Sequence, residues 1–286
     1  MEGQAVSDTP ESESVTQKGF VAVCFENGDK YSGDVQDGMM HGRGTYTYAN
    51  GDEYEGDYVY DCATGKGVFR FKDGTTYEGD FVDALFEGKG RLTEPGGALY
   101  EGDFANGKKH GHGTQTLPGG ERFTGHFQDG YFHGQGTFVF ESGDVYEGNY
   151  CYGLPEGEGR FSYASGEVYE GQFYRGLEEG SGSYAFANGD KYVGSFKEGF
   201  FHGQGSFHYA NGDRLDGTFA FNCRHGFCSF VSSSGDFFEG DFDNGYRSGE
   251  GLLSSFTPFS RSSIFHRPSS IITSVTTMHP RPLGHL

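Results

Sequence analysis

A chain of 286 residues with a formal net charge of −20 carries 51 glycines, 29 phenylalanines and 19 tyrosines but no tryptophan, and only 34% of it is hydrophobic. That composition excludes an ordinary aliphatic two-layer core and puts rings among glycines in its place. The charge disfavours direct binding to nucleic acid or to an anionic membrane, since both need phosphate neutralised by Lys and Arg.

Residues 1–18, which include Thr9-Pro10-Glu11-Ser12-Glu13-Ser14, are polar and acidic and are expected to be disordered. From Phe20 to Gly28 the chain reads as the second half of a repeat, with Val23 and Phe25 at strand positions. A series then begins. Tyr31, Tyr54, Tyr77, Tyr100, Phe123, Tyr146, Tyr169, Tyr192, Leu215 and Phe238 each precede a glycine by two residues and follow one another at intervals of 23, with no insertion or deletion. An unbroken register across ten units says that each stacks on its neighbours in the same way.

Counting from each anchor as position 0, glycine occupies positions 2 and 11 and the turn before the anchor in every unit. It also holds position 13 in all units but one, where Cys228 stands. Positions 0, 2 and 4 read as in Tyr77, Gly79, Phe81, and positions 13, 15 and 17 as in Gly67, Phe69, Phe71. Alternation with period two is the mark of a strand, so each unit is predicted to be two short antiparallel strands sharing an aromatic-and-glycine face. Turns such as Asn50-Gly51-Asp52, Ser142-Gly143-Asp144 and Asn188-Gly189-Asp190 suit the positive φ of tight hairpin connections. The expected fold is all-β, an elongated single-sheet solenoid of about ten 23-residue antiparallel hairpins spanning residues 19–253.

Beyond Glu250 no acidic residue occurs, while Arg261, Arg267 and Arg281 sit among Ser, Thr and Pro. Residues 254–286 are expected to be a disordered basic tail, with a segment that folds on a partner as the alternative. Five cysteines without a CxxC pair, and no apolar run of signal or membrane-span length, suggest a reducing, soluble compartment.

The pattern Tyr-x-Gly-x-aromatic, then His-Gly-x-Gly, then a turn glycine, resembles the MORN (membrane occupation and recognition nexus) repeat. Its clearest copies are Tyr31 to Gly51 with His41-Gly42-Arg43-Gly44, and Tyr192 to Gly212 with His202-Gly203-Gln204-Gly205. The resemblance implies a structural module of the kind found in cilia and flagella, cytoskeletal collars and membrane-contact proteins. The leading expectation is therefore a non-catalytic, protein-binding scaffold without cofactor, cytoplasmic and associated with the cytoskeleton or a cilium. The alternatives are a membrane-associated adaptor, or the regulatory repeats of a truncated enzyme of the SET methyltransferase or phosphoinositide kinase type.

Motifs for catalysis are missing: there is no Gly-x-Ser-x-Gly, HExxH or phosphate-cradling Gly-Lys-Ser/Thr. Five histidines (His41, His110, His133, His202, His225) share position 10, but equivalent positions in successive units are about 10 Å apart, too far for one zinc ion. They read as loop residues that form hydrogen bonds. Carboxylates recur at position 1 (Glu55, Glu78, Glu101 and onward) and position 3 (Asp34, Asp57, Asp80, Asp103, Asp241), and read as a solvated face or an acidic stripe for a basic partner. Positions 8 and 9, taken as the hairpin tips, hold Met39-Met40, Leu85-Phe86, Tyr131-Phe132 and Phe200-Phe201, with Leu154 and Leu177 between. A row of such groups suggests an edge that binds a partner protein or a second copy of the chain, with Phe132, Phe200 and Phe201 as anchors. The competing reading is that the tips fold back and cap the ring stack.

Overall fold

The computed structural model describes residues 18–254 and the backbone of 263–265. The acidic segment 1–17 and most of the basic tail lie outside the described residues. Of the tail, Ser263–Phe265 is described as a short strand, where the sequence suggests no order. Among the described residues there is no helix.

Two compact units divide between Lys108 and Lys109. The first carries β1 (Lys18–Cys24), β2 (Lys30–Gln36), β3 (Met39–Thr47), β4 (Glu53–Val59), β5 (Cys62–Arg70), β6 (Thr76–Val82), β7 (Leu85–Thr93) and β8 (Leu99–Ala105). In the second are β9 (Lys108–Thr116), β10 (Arg122–Gln128), β11 (Tyr131–Val139), β12 (Val145–Cys151), β13 (Leu154–Ser162), β14 (Val168–Tyr174) and β15 (Leu177–Ala185). There follow β16 (Lys191–Lys197), β17 (Phe200–His208), β18 (Arg214–Ala220), β19 (Cys223–Val231), β20 (Phe237–Asp243), β21 (Tyr246–Ser254) and β22 (Ser263–Phe265). Within each unit the strands form an antiparallel meander, each pairing with the strand before and after it in sequence.

The first strand of a repeat is seven residues long (positions −1 to 5) and the second nine (positions 8 to 16). A bulge absorbs the difference. In β12–β13, Gly148 pairs with Gly159, and the next pair is Tyr150 with Pro155, so Asn149 faces three residues of the partner strand. The bulge frees a carbonyl from the ladder, and the anchor ring satisfies it. The hydroxyl of Tyr146 donates to the carbonyl of Asn149 at 3.0 Å, Tyr77 to Asp80 at 2.9 Å and Tyr169 to Gln172 at 2.7 Å.

For that hydroxyl to reach the bulge, the ring must lie flat over the backbone at positions 2 and 13. A Cβ on Gly148 or on Gly159 would stand 2.5 Å from the Tyr146 hydroxyl, and one on Gly148 also 2.7 Å from the Cα of Gly159. This close approach explains glycine at both positions. Position 11 is glycine for a second reason: Gly65 has φ +71°, and a Cβ there would meet the Asp57 carboxylate.

The core is the face where these rings lie. Position 4 rings stand edge-on between two anchor rings in the middle of the second unit: Phe173 is 5.0 Å from Tyr169 and 4.9 Å from Tyr146, both near 88°, and Phe196 repeats this between Tyr192 and Tyr169. Edge-to-face pairs contribute about 0.5–1.5 kcal/mol each beyond area burial, so the ladder of contacts couples neighbouring repeats as well as filling the face. The long turns add a second link. Asp144 bonds within its own turn through Ser142, and its other oxygen accepts from the amide of Ala164 in the next turn at 2.7 Å. Asp190 and Asp213 repeat that reach, to Ala210 and Ser233.

Candidate protein-binding rim

The short turn of each hairpin falls at positions 6 and 7, not at 8 and 9. Both residues have positive φ in all ten repeats, the geometry of a type I′ turn. Asp, Asn and Gly suit it, and most repeats supply them. Three repeats place an aromatic at position 6 instead: Tyr60 (φ 47°), Tyr152 (φ 48°) and Phe221 (φ 48°). A bulky side chain in the left-handed region costs about 1–2 kcal/mol, and such strain persists at sites where it serves another purpose.

These rings face water. In the second unit Tyr152 is 71% and Phe221 63% exposed. Each leans on the preceding repeat through its residues at positions 8 and 10. Tyr152 meets Tyr131 at 6.2 Å and His133 at 6.1 Å, and Phe221 meets Phe200 at 5.8 Å and His202 at 5.7 Å, all edge-on. Tyr174, also exposed, lies beneath the Arg175 guanidinium at 5.5 Å. In the first unit Tyr60 packs on His41 in the same manner, at 5.2 Å, and Leu85 and Val82 are exposed on their hairpin.

The residues expected to form one apolar row are therefore divided between the two faces. Positions 8 and 9 are neighbours in a strand, and neighbours in a strand point to opposite sides. Leu85, Tyr131 and Phe200 turn toward the rim, Tyr131 being 56% exposed. Phe86, Phe132 and Phe201 turn inward and stack nearly parallel on the anchors Tyr77, Phe123 and Tyr192 at 3.8, 3.9 and 4.0 Å. Phe201 is only 4% exposed. Met39 and Met40 are both half-buried. The inward residues match the capping alternative. Tyr60, Tyr152 and Phe221, absent from the sequence reading, had one signal available: large rings where a two-residue turn asks for Asp, Asn or Gly; Tyr174, at the end of β14, had none.

Other side chains depart from their expected roles. The position 10 histidines act by ring packing at His41, His133 and His202, and the buried Nδ1 atoms of His41 and His202 have no hydrogen-bond partner. Position 3 carboxylates serve the fold rather than an open stripe. Asp57 accepts from the amide of Lys66 across its bulge at 3.2 Å, Asp80 does so from Lys89 at 3.1 Å, and both also pair with a basic side chain of the previous repeat. The carboxyl of Asp80 is held below the usual range chiefly by its hydrogen bond from Lys66.

Burial pushes the thiols of Cys62 and Cys228 upward, and a protonated thiol is a poor nucleophile. Among the described residues no three His, Cys, Asp or Glu side chains converge as metal ligands.

Comparison with known proteins agrees with the hairpin repeat. A family model described as the MORN repeat matches ten consecutive segments: 31–53, 54–76, 77–98, 100–122, 123–145, 146–168, 169–191, 192–214, 216–237 and 238–255. No curated protein matches the chain. Among solved structures, the chain is similar to the SAS-4 (dCPAP) TCP domain of Drosophila melanogaster, solved with a proline-rich motif of Ana2. That match has 10% identity and a TM-score of 0.34, covering 68% of this chain and 99% of the other. A mutant TCP10 domain of Danio rerio CPAP matches at 13% identity and a TM-score of 0.27, covering 77% and 93%. Scores at this level carry no argument about the present chain.

Proposed function

The chain belongs to the MORN-repeat family, and on that premise we propose that it is a non-catalytic scaffold that binds protein partners through the turn rim of its second unit. The observation that supports this reading is the aromatic set of the exposed Tyr131, Tyr152 and Phe221 with the half-buried Phe200 beside them, two of whose members, Tyr152 and Phe221, occupy backbone positions that disfavour them. A fold has no need of that strain, whereas aromatic groups at a surface dominate interface energetics. The complement is a protein surface that joins apolar groups to Lys or Arg, because Asp129 and Glu198 occupy neighbouring turns. The setting we assign to it is a cytoskeletal or ciliary assembly in the cytoplasm, as the family resemblance implies.

The double variant Tyr152→Asn/Phe221→Asn tests the reading, because Asn is suited to the left-handed turn. Thermal melting of the variant should be unchanged or higher, since each turn sheds up to about 1–2 kcal/mol of strain. Proteins labelled or co-purified with the tagged full chain from its native cell should be lost in proportion. A variant that folds as well and keeps every partner of the wild type would refute the rim as the binding surface.

A further inference from the structure

Phe86, Phe132 and Phe201 stack on their anchors from position 9, and the last two repeats place Arg224 and Arg247 there instead. A guanidinium is flat and lies on a ring much as a phenyl group does. Both do so here: Arg224 on β19 stands 4.6 Å over Phe242, and Arg247 on β21 stands 3.9 Å over Phe238. The two rings belong to β20, which pairs with both strands, and their centroids are 6.0 Å apart. Two cations thus share one patch of the ring-bearing face.

A buried charge is costly unless an opposite charge pairs with it. Arg224 is 9% exposed, and its Nη2 donates to the carbonyl of Gly245 at 3.0 Å, but among the described residues no carboxylate meets it. Arg247 is exposed, and partial burial together with the Arg224 charge holds its guanidinium below its ordinary range. Nearby carboxylates lie elsewhere. Glu239 and Asp241 alternate onto the other face of β20, and Asp243 faces His225 at 3.5 Å. The sequence that follows adds Arg261, Arg267 and Arg281, with no acidic side chain after Glu250.

The backbone beside Arg247 is open as well. In each earlier repeat the carbonyl at position 9 accepts from a turn amide of the next repeat, as Phe201 does from Asn222 at 3.1 Å and Arg224 from Gly245 at 2.9 Å. Arg247 has no such donor among the described residues, and β22 pairs with β21 only at Gly251, Leu252 and Leu253. An extended peptide along this edge satisfies that carbonyl and sends every second side chain over the ring-bearing face.

We propose that Arg224 and Arg247 form a recognition site for a carboxylate side chain of an extended acidic peptide from a partner protein, laid beside Tyr246 and Arg247 of β21. The exposed Arg247 meets the carboxylate in the two-point geometry that guanidinium and carboxylate share. Arg224 adds its charge from the neighbouring ring. The site is independent of the turn rim, whose complement is basic.

Position 9 of the other repeats supplies the variant for the test. Arg224→Phe with Arg247→Phe copies Phe201 and keeps a flat group on each ring, and circular dichroism with melting verifies the fold. Arg247→Gln leaves the buried Arg224 in place and repeats the comparison on the exposed side chain alone. The full chain is titrated into a fluorescein-labelled peptide of alternating Val and Glu, and into the same peptide with Gln for Glu, with anisotropy read at low and at physiological salt. The wild type should bind the Glu peptide at least about tenfold more tightly than the Gln peptide, the scale of one hydrogen bond to a charged group, and less tightly as salt rises. Both variants should lose that preference. Equal affinity of the wild type for the two peptides would overturn the proposal, as would no binding by the wild type. So would a Glu preference that survives in the double variant, or in Arg247→Gln should the double variant not fold. Self-association of the wild type in analytical ultracentrifugation, lost in the double variant, would give the site to a second copy of the chain and overturn the partner peptide.

Discussion

Glu178 occupies position 9 of its repeat, where Phe86, Phe132 and Phe201 stack on the anchors of theirs, and it is 2% exposed. Its Oε1 accepts from the Tyr163 hydroxyl at 3.1 Å, and its Oε2 has no hydrogen-bond partner. Burial raises this carboxyl above its ordinary range, so the folded chain retains a proton that the unfolded chain releases near pH 4.5. For a group shifted upward, its contribution to stability is full below the unfolded value and is lost as pH rises through the folded one. The loss amounts to about 1.4 kcal/mol per pH unit inside that window. Glu178→Gln keeps the shape and abolishes the titration. Melting temperatures of wild type and variant, measured at half-unit steps of pH, should draw apart as pH rises from the unfolded value of 4.5, the wild type losing stability relative to the variant. Contributions from every other group cancel in the difference. Parallel curves for the two proteins would refute a protonated Glu178 in the ring stack.

Gly148→Val should lower stability by about 1–3 kcal/mol or more through overpacking, because even a Cβ meets the Tyr146 hydroxyl and the Gly159 backbone; an unchanged melting temperature would count against the ring-over-glycine packing. Tyr146→Phe removes only the hydroxyl that satisfies the Asn149 carbonyl at 3.0 Å. A cost of about 1–3 kcal/mol is expected for leaving that acceptor unpaired, and equal denaturation midpoints for the two proteins would show that water replaces the bond.

Most of the architecture is legible in the sequence because it rests on spacing. A 23-residue interval without slippage and a period of two within each half place Tyr77, Gly79 and Phe81 on one face whatever the rest of the chain does. The glycines at positions 2 and 13 are likewise readable as gaps beside rings, since a ring and an absent side chain on one face are complementary by volume alone.

Side-chain partners that depend on the bulge were beyond that reading. Period-two counting assumes an even ladder, and the bulge opposite Asn149 inserts residues into one strand and not the other. Only the folded chain shows that an Asp at position 3 accepts an amide across the bulge, or that an anchor hydroxyl reaches a carbonyl three residues along. The place of the turn decided the rest. With the reversal at positions 6 and 7, positions 8 and 9 lie within a strand, so Tyr131 faces water while Phe132 stacks on Phe123. Tyr152 and Phe221 then become rim residues through a left-handed φ. Composition and interval determine that each unit is a hairpin with a ring-bearing face, whereas backbone dihedrals at two turn residues determine which rings meet solvent, because reversing a strand one residue earlier or later exchanges its faces.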